Sequence, residues 1–339
     1  MNELQHLKPE FGERELEAAR RVLASAYVGR GPETAAFEAE IGAYLGLGPE
    51  HVLAVASGTA ALELALAALD WGGKRVAVPA YTCASVHHAV RRAGGDPVAI
   101  DTVSDVHADM DIAAANASGA DVAVVAHMFG IPQPLDAVAI PFVEDCAQAL
   151  GARVSGRPVG LQGAAGIFSF GASKLLTAGG IGGALVSKER EVIERARTLI
   201  AYDRAGDGPR ANLEIGDLQS AIGRVQLERL PEFAARREAI FATYVAAGLP
   251  MMTARSRDCR PVRLRAVVVS DAAEAIEAAL ARENIRSRPA LLERESGPLP
   301  SGSRAATLAK RALFLPIFPA MSDEDAARVA RIAASVLLA

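Results

Sequence analysis

Short apolar runs that alternate with helices or long connections set the architecture of this chain. They fall at residues 51–56, 75–78, 97–101, 121–126 and 141–144, and 166–170 and 183–187 continue the series. Each is short and bounded by polar or turn residues, which reads as a buried strand. The stretch Ala60 to Leu69 between the first two is rich in Ala and Leu and is a strong helix former. Such alternation predicts an α/β fold with a mostly parallel central sheet sandwiched by helices. The last two strands, linked through the cluster Gly179, Gly180, Gly182 and Gly183, are expected to depart from the parallel pattern. Amphipathic helices near 11–27 and 33–46 precede the first strand. Beyond residue 190 helices are expected at 189–201, 216–229 and 231–247, then a strand at 263–269 and a helix at 271–283. An irregular loop at 286–303 and helices at 303–312 and 322–338 complete the pattern. This change of character predicts a large domain over 1–232 and a small C-terminal α+β domain over 233–339.

Charge and cysteine content narrow the function classes. With 339 residues and a formal net charge of −4, the chain has no basic surface that argues for nucleic acid. Three cysteines without a CxxC pair argue against a disulfide framework and for a reduced, cytoplasmic interior. His87, His88 and His127 with the cysteines lack paired-ligand spacing, so a zinc site is not expected. The charged start lacks the apolar core of a signal peptide, and no run of about 18 uncharged apolar residues marks a membrane span.

Three segments carry chemistry. Ser57-Gly58-Thr59 sits between a strand and a helix, where backbone N–H groups, hydroxyls and the helix dipole can hold a phosphate. Plain helix capping is the ordinary alternative. Asp145 lies at the carboxyl end of the 141–144 strand, where open α/β sheets collect ligands. A carboxylate there can pair with a protonated pyridine nitrogen, or simply cap the next turn. Gln148, one helical turn later, can reach a ring hydroxyl. Lys174 stands between an apolar strand and the glycine cluster, a setting suited to a Schiff-base nucleophile once burial depresses its pKa. A solvated lysine is the ordinary alternative there. Ser169 on the approaching strand can add a phosphate contact. The three in this order point to a pyridoxal 5'-phosphate enzyme.

That order resembles fold-type I pyridoxal-phosphate enzymes, and the details resemble the DegT/DnrJ/StrS-type sugar aminotransferases. The resemblance runs almost end to end, from Gly31-Pro32-Glu33 through Ala56-Ser57-Gly58-Thr59-Ala60-Ala61-Leu62, Pro79-Ala80-Tyr81-Thr82 and His127-Met128-Phe129-Gly130. Glu144-Asp145-Cys146-Ala147-Gln148-Ala149 and Ser169-Phe170-Gly171-Ala172-Ser173-Lys174 are its strongest pieces. Asn212, Asp217-Leu218-Gln219-Ser220 and Leu315-Pro316-Ile317-Phe318-Pro319 extend it. The resemblance implies Lys174 as the Schiff-base lysine and proton shuttle, Asp145 on the pyridine nitrogen and Gln148 on the ring oxygen. It implies phosphate contacts from Gly58, Thr59 and Ser169. Asn212 would reach the phosphate of a neighbouring subunit in a homodimer with shared sites. The implied reaction moves an amino group from L-glutamate or L-glutamine to a keto sugar, with the nucleotide-linked form expected, or to a related cyclic ketone.

The sequence departs from that family pattern near the substrate. Cys83 stands where many relatives stack an aromatic ring, leaving Tyr81 or His87 as substitutes. Glu214 occupies the place of a common arginine, the glycine cluster lacks its usual glutamate, and Ala290-Leu291-Leu292 lacks a frequent histidine. These changes leave open a non-sugar substrate with elimination or epimerisation, or a regulatory relative without turnover. Apolar residues on more than one face of the 216–247 helices (Leu218, Ala221, Ile222, Val225, Leu227, Leu230) predict an intersubunit contact, or else simple packing within the chain.

Overall fold

The computed structural model describes residues 3–203, 210–292 and 295–338. Helices α1 (Glu13–Ser25) and α2 (Pro32–Leu45) precede strand β1 (Val52–Val55) and helix α3 (Gly58–Ala68). Strand β2 (Arg75–Pro79), helix α4 (Ala84–Arg92), strand β3 (Asp96–Ile100), helix α5 (Ile112–Ala117), strand β4 (Val122–Ala126) and strand β5 (Phe142–Asp145) follow. A short hairpin of β6 (Arg153–Val154) and β7 (Arg157–Pro158) leads to β8 (Ala165–Ser169), β9 (Gly183–Val186) and α6 (Arg190–Ile200). The rest comprises α7 (Asp217–Ala246), β10 (Cys259–Arg260), β11 (Ala266–Val269), α8 (Ala273–Arg282), β12 (Arg288–Pro289), α9 (Arg304–Arg311), β13 (Ala312–Leu315) and α10 (Asp323–Leu338).

Seven strands form the main sheet in the order β1-β9-β8-β5-β4-β2-β3. Four neighbouring pairs from β8 to β3 run parallel, whereas β9 runs antiparallel to both β1 and β8. The expected departure at the last two strands is therefore present, confined to one reversed strand. β1, β4 and β9 are buried throughout, as strands with helices on both faces must be. One core packs Leu53, Leu64, Val78, Val124 and Ile193 on one face of the sheet. A second packs Phe37, Ile41, Phe168 and Phe170 on the other. β9 enters between β1 and β8 flush against the chain: a Cβ on Gly183 would lie 2.3 Å from the carbonyl carbon of Ser57.

The later part of the chain forms a second sheet, β11-β13-β12, backed by α8 and α10. The loop expected over 286–303 contains the two-residue β12 and is otherwise irregular where described, and residues 293–294 lie outside the described residues. β13 was not expected from the sequence. Four apolar residues directly behind a helix, with no turn signal between them, carry no period that separates the two elements. The strand expected at 263–269 begins only at Ala266, so Arg265 lies just outside the ladder.

The helices expected at 216–229 and 231–247 are one helix, α7, with Pro231 inside it. A proline there forfeits one helical hydrogen bond and costs about 3 kcal/mol. Leu227, Leu230 and Phe233, buried on either side of it, supply the packing that offsets this. The first half of α7 lies on α1 and α2, and Ile240, Phe241 and Tyr244 of its second half belong to the core of the small sheet. The boundary expected at 232/233 falls within this helix. Its first residue also closes another helix. Gly31 has no side chain to cap α2, and Asp217 accepts from the Gly31, Glu33 and Thr34 N–H groups at 2.8, 3.1 and 2.9 Å.

Candidate active site

Parallel strands end on one edge of the main sheet, and that edge carries the residues singled out above. β1 runs into Ser57, β2 into Thr82 and Cys83, β4 into His127 and Met128, β5 ends at Asp145 and β8 ends at Ser169. They line a cavity of about 250 Å³ together with Gly58, Thr59, Gln148 and Lys174. Sheet-end loops meet here because the sheet directs every parallel strand the same way.

The Ser57 side chain accepts from the Ala60 N–H at 3.1 Å, so it caps α3 as well as facing the cavity. A Cβ on Gly58 would lie 2.7 Å from the Cβ of Ser169, so the helix start sits directly against the strand end. The result is a narrow polar cradle at the positive end of a helix, suited to a phosphate group. Asp145 Oδ1 accepts from the Ala147 N–H at 2.9 Å. Burial pushes the Asp145 carboxyl above the usual carboxylate range, against the pull of that N–H and of Lys174 and His127. A buried acid of this kind is stabilised by a cationic partner. Gln148 Oε1 accepts from the Phe129 N–H at 2.9 Å, which fixes the amide and leaves its face on the cavity. Burial lowers the Lys174 pKa, opposed by Asp145 and reinforced by Arg265, so the amine is held closer to its neutral, nucleophilic form.

His127 lines the cavity beneath these groups, and its hydrogen bonds define its tautomer. The Gln133 N–H donates to Nδ1 at 3.2 Å, so Nε2 carries the proton and donates to Glu144 at 3.1 Å. Glu144 also accepts from the Gly160, Gln162 and Gly163 N–H groups. Burial alone would raise its pKa, but His127 and those N–H groups outweigh it and hold the carboxyl below its ordinary value. His127, Glu144 and Cys146 come within metal-ligand distance of one another. His127 and Glu144 are already committed to these bonds, and burial pushes the Cys146 thiol up, away from thiolate.

Cys83 lines the cavity, whereas Tyr81 and His87, the substitutes considered for ring stacking, do not. Tyr81 is fully buried, edge-on to Phe129 with ring centroids 6.0 Å apart. Asn212 is exposed and also absent from the cavity lining. Its loop lies against the end of β1, where the Ala56 N–H donates to the Leu213 carbonyl at 2.8 Å. Sequence reasoning gave no site role to His127, Thr82 or Ser85, although the first two belong to quoted motifs. It also missed Arg265 and Arg288, which share a neighbouring cavity with Lys174.

A lysine and an acid facing each other beside a phosphate cradle, on a mostly parallel sheet with a small appended sheet, define a pyridoxal-phosphate-dependent enzyme of fold type I. The model of the DegT/DnrJ/EryC1/StrS aminotransferase family matches residues 9–333. The chain belongs to that family and is an aminotransferase of the pyridoxal-phosphate-dependent kind. It is 32% identical over 341 residues to the dTDP-3-amino-3,4,6-trideoxy-alpha-D-glucose transaminase of Streptomyces venezuelae, covering 92% of this chain and 89% of that one. The erythromycin biosynthesis sensory transduction protein EryC1 of Saccharopolyspora erythraea is 37% identical over 242 residues, 67% of this chain and 66% of that protein. The aminotransferase TlmJ of Streptoalloteichus hindustanus superposes with a TM-score of 0.90 at 30% identity, covering 99% of both chains.

Proposed function

We propose that this enzyme transfers the amino group of L-glutamate or L-glutamine to a keto sugar carried on a nucleotide. The observation that supports this best is the enclosure of Lys174 and Asp145 in one cavity with the Ser57-Gly58-Thr59 helix start. The sugar acceptor is supported by the kinship with the dTDP-amino-sugar transaminase.

Pyridoxal phosphate, when bound, supplies the electron sink that makes an α-proton acidic. In this reading Gly58, Thr59, Ser57 and Ser169 hold its phosphate. Asp145 keeps a proton on its ring nitrogen, and Gln148 holds its ring oxygen. Lys174 Nζ would hold the aldehyde end of the cofactor and, once free, would move a proton from the donor α-carbon to the former aldehyde carbon. His127, fixed by Glu144, forms one wall of the cavity, and Cys83 takes the place of an aromatic one.

The same reading makes the enzyme a homodimer with shared sites. Asn212 is exposed on the loop that lies against the end of β1, which suits a role at a neighbour's cofactor. Phe11, Leu16, Leu23, Tyr27 and Val28 are exposed apolar side chains, and Tyr27 and Val28 line a surface cavity with Glu214, two residues from Asn212. The stripe on α7 does less for this contact than its sequence suggests, because Leu218, Ala221 and Val225 pack against Ala18 and Val22 of α1. Among the described residues no helix is long and apolar enough to cross a membrane. The free thiols of Cys83, Cys146 and Cys259 suit the reduced cytoplasm.

Lys174→Ala tests the nucleophile. The variant is expected to lose the visible absorbance of bound cofactor and to drop turnover by about 10³-fold or more. Retained absorbance with retained activity would remove Lys174 from the reaction.

A further inference from the structure

Beside the cofactor cavity lies a second one of about 200 Å³, sharing Cys83, Met128, Gln148 and Lys174 with it. Its far wall comes from the small sheet: Arg265, Arg288, Glu295 and Phe314. Both guanidiniums lie against the Phe314 ring, 5.3 and 5.4 Å from its centroid. Arg265 Nη2 donates to the Ser173 carbonyl at 3.3 Å, next to the nucleophile. Its Nη1 is buried with no hydrogen-bond partner among the described residues. Arg288 Nη1 donates to both carboxylate oxygens of Glu295 at 2.9 Å. Burial and the nearby Arg288 push Arg265 down to about 10, although Glu295 acts against them. His6 lies beside the same arginines, and burial with their charge lowers its pKa to about 4, so it adds no negative charge.

Two guanidiniums thus share one carboxylate, and a buried donor is left unpaired. An orphaned charged donor is costly unless an anion completes it. The arginine fork matches a carboxylate in shape and charge. We propose that Arg265 and Arg288 seat the α-carboxylate of the amino donor, and that Glu295 is the internal carboxylate Arg288 exchanges to receive it. The inference rests on the amino-acid-donor reading above. Position selects the donor over the acceptor. A donor amine must arrive where the Lys174 amine stands, and its carboxylate is attached to the same carbon as that amine. A guanidinium bonded to the peptide carbonyl preceding Lys174 is in reach of that group. The diphosphate of a nucleotide sugar is held away from the reacting carbon by the sugar ring.

The test uses full-length, cofactor-loaded protein and follows bleaching of the visible absorbance by L-glutamate in the absence of acceptor. Hydroxylamine, which attacks the bound aldehyde without a carboxylate, is the control probe. Arg265→Gln is expected to raise the half-saturating glutamate concentration about 30-fold or more, at least about 10-fold beyond any change in its hydroxylamine rate, which reports the loss of its charge beside Lys174. Glu295→Gln, by removing the internal competitor, is expected to lower the half-saturating concentration about 3-fold or more. If Arg265→Gln loses the cofactor, Arg288→Gln decides on the same readout, with a rise of about 5-fold or more expected. Wild-type glutamate dependence in the arginine variant overturns the seat, and an unchanged or raised value in Glu295→Gln overturns the exchange. A wild-type enzyme that bleaches with hydroxylamine but with neither L-glutamate nor L-glutamine overturns the donor reading and the seat with it.

Discussion

Asp109 carries a cost that the fold has accepted on the far side of His127. Burial pushes its carboxyl up to about 6, against the pull of Arg255, whose Nη1 lies 3.5 Å away, and of His127. The folded state therefore binds a proton that the unfolded chain releases near pH 4, and stability is lost as pH rises from about 4 to about 6. Asp109→Asn has nothing to titrate there. Relative to that variant the natural protein should lose about 2–3 kcal/mol between pH 4 and pH 7. Urea unfolding of both at the two pH values measures it, and a constant difference would show that Asp109 titrates normally. Lys174 and Asp145 respond to the same physics, since each loses water and each moves toward its neutral form. Their identities were legible because one follows a strand into glycines and the other ends a strand. Arg265 and Arg288 were not legible, being 23 residues apart (288 − 265) on separate strand ends that only the small sheet brings together.

Among the elements, β9 is the most tightly constrained by its neighbours. The Ser57 main chain approaches Gly183 so closely that no side chain fits. Gly183→Ala must push apart β9 and the start of α3, at a cost of about 3 kcal/mol, with a parallel loss of cofactor affinity. Thermal melting and a cofactor titration would show both, and an unshifted melt would mean that the strand yields. The seven main strands were readable from sequence because each is an apolar run with a turn or helix after it. Other elements, the six-residue α5 among them, were not. The two-residue β6, β7, β10 and β12 are too short to carry a period. β13 is joined to α9 without punctuation. Pro231 imitates a helix end but is carried through by buried leucines around it.

At the scale of the whole molecule, α1 bears the surface that a single chain leaves uncovered. Leu16 and Leu23 are 59% and 60% exposed, although Ala18 and Val22 on the same helix are buried against α7. The double variant Leu16→Glu/Leu23→Glu is expected to sediment as a monomer and to bind cofactor about 10-fold more weakly, because Asn212 then has no neighbour to serve. A dimer that persists at micromolar concentration would place the contact elsewhere. The continuity of α7 has a consequence for selectivity. Lys174 follows a strand of the main sheet and the paired guanidiniums belong to the small one, and a single unbroken rod of 30 residues packs on both. In the proposed reaction, reach between the bond-making amine and the charge that would grip the amino acid is thus gauged by a stiff strut instead of a slack tether. On that seat the enzyme would measure its donor as a caliper does, with jaws set at a fixed gap.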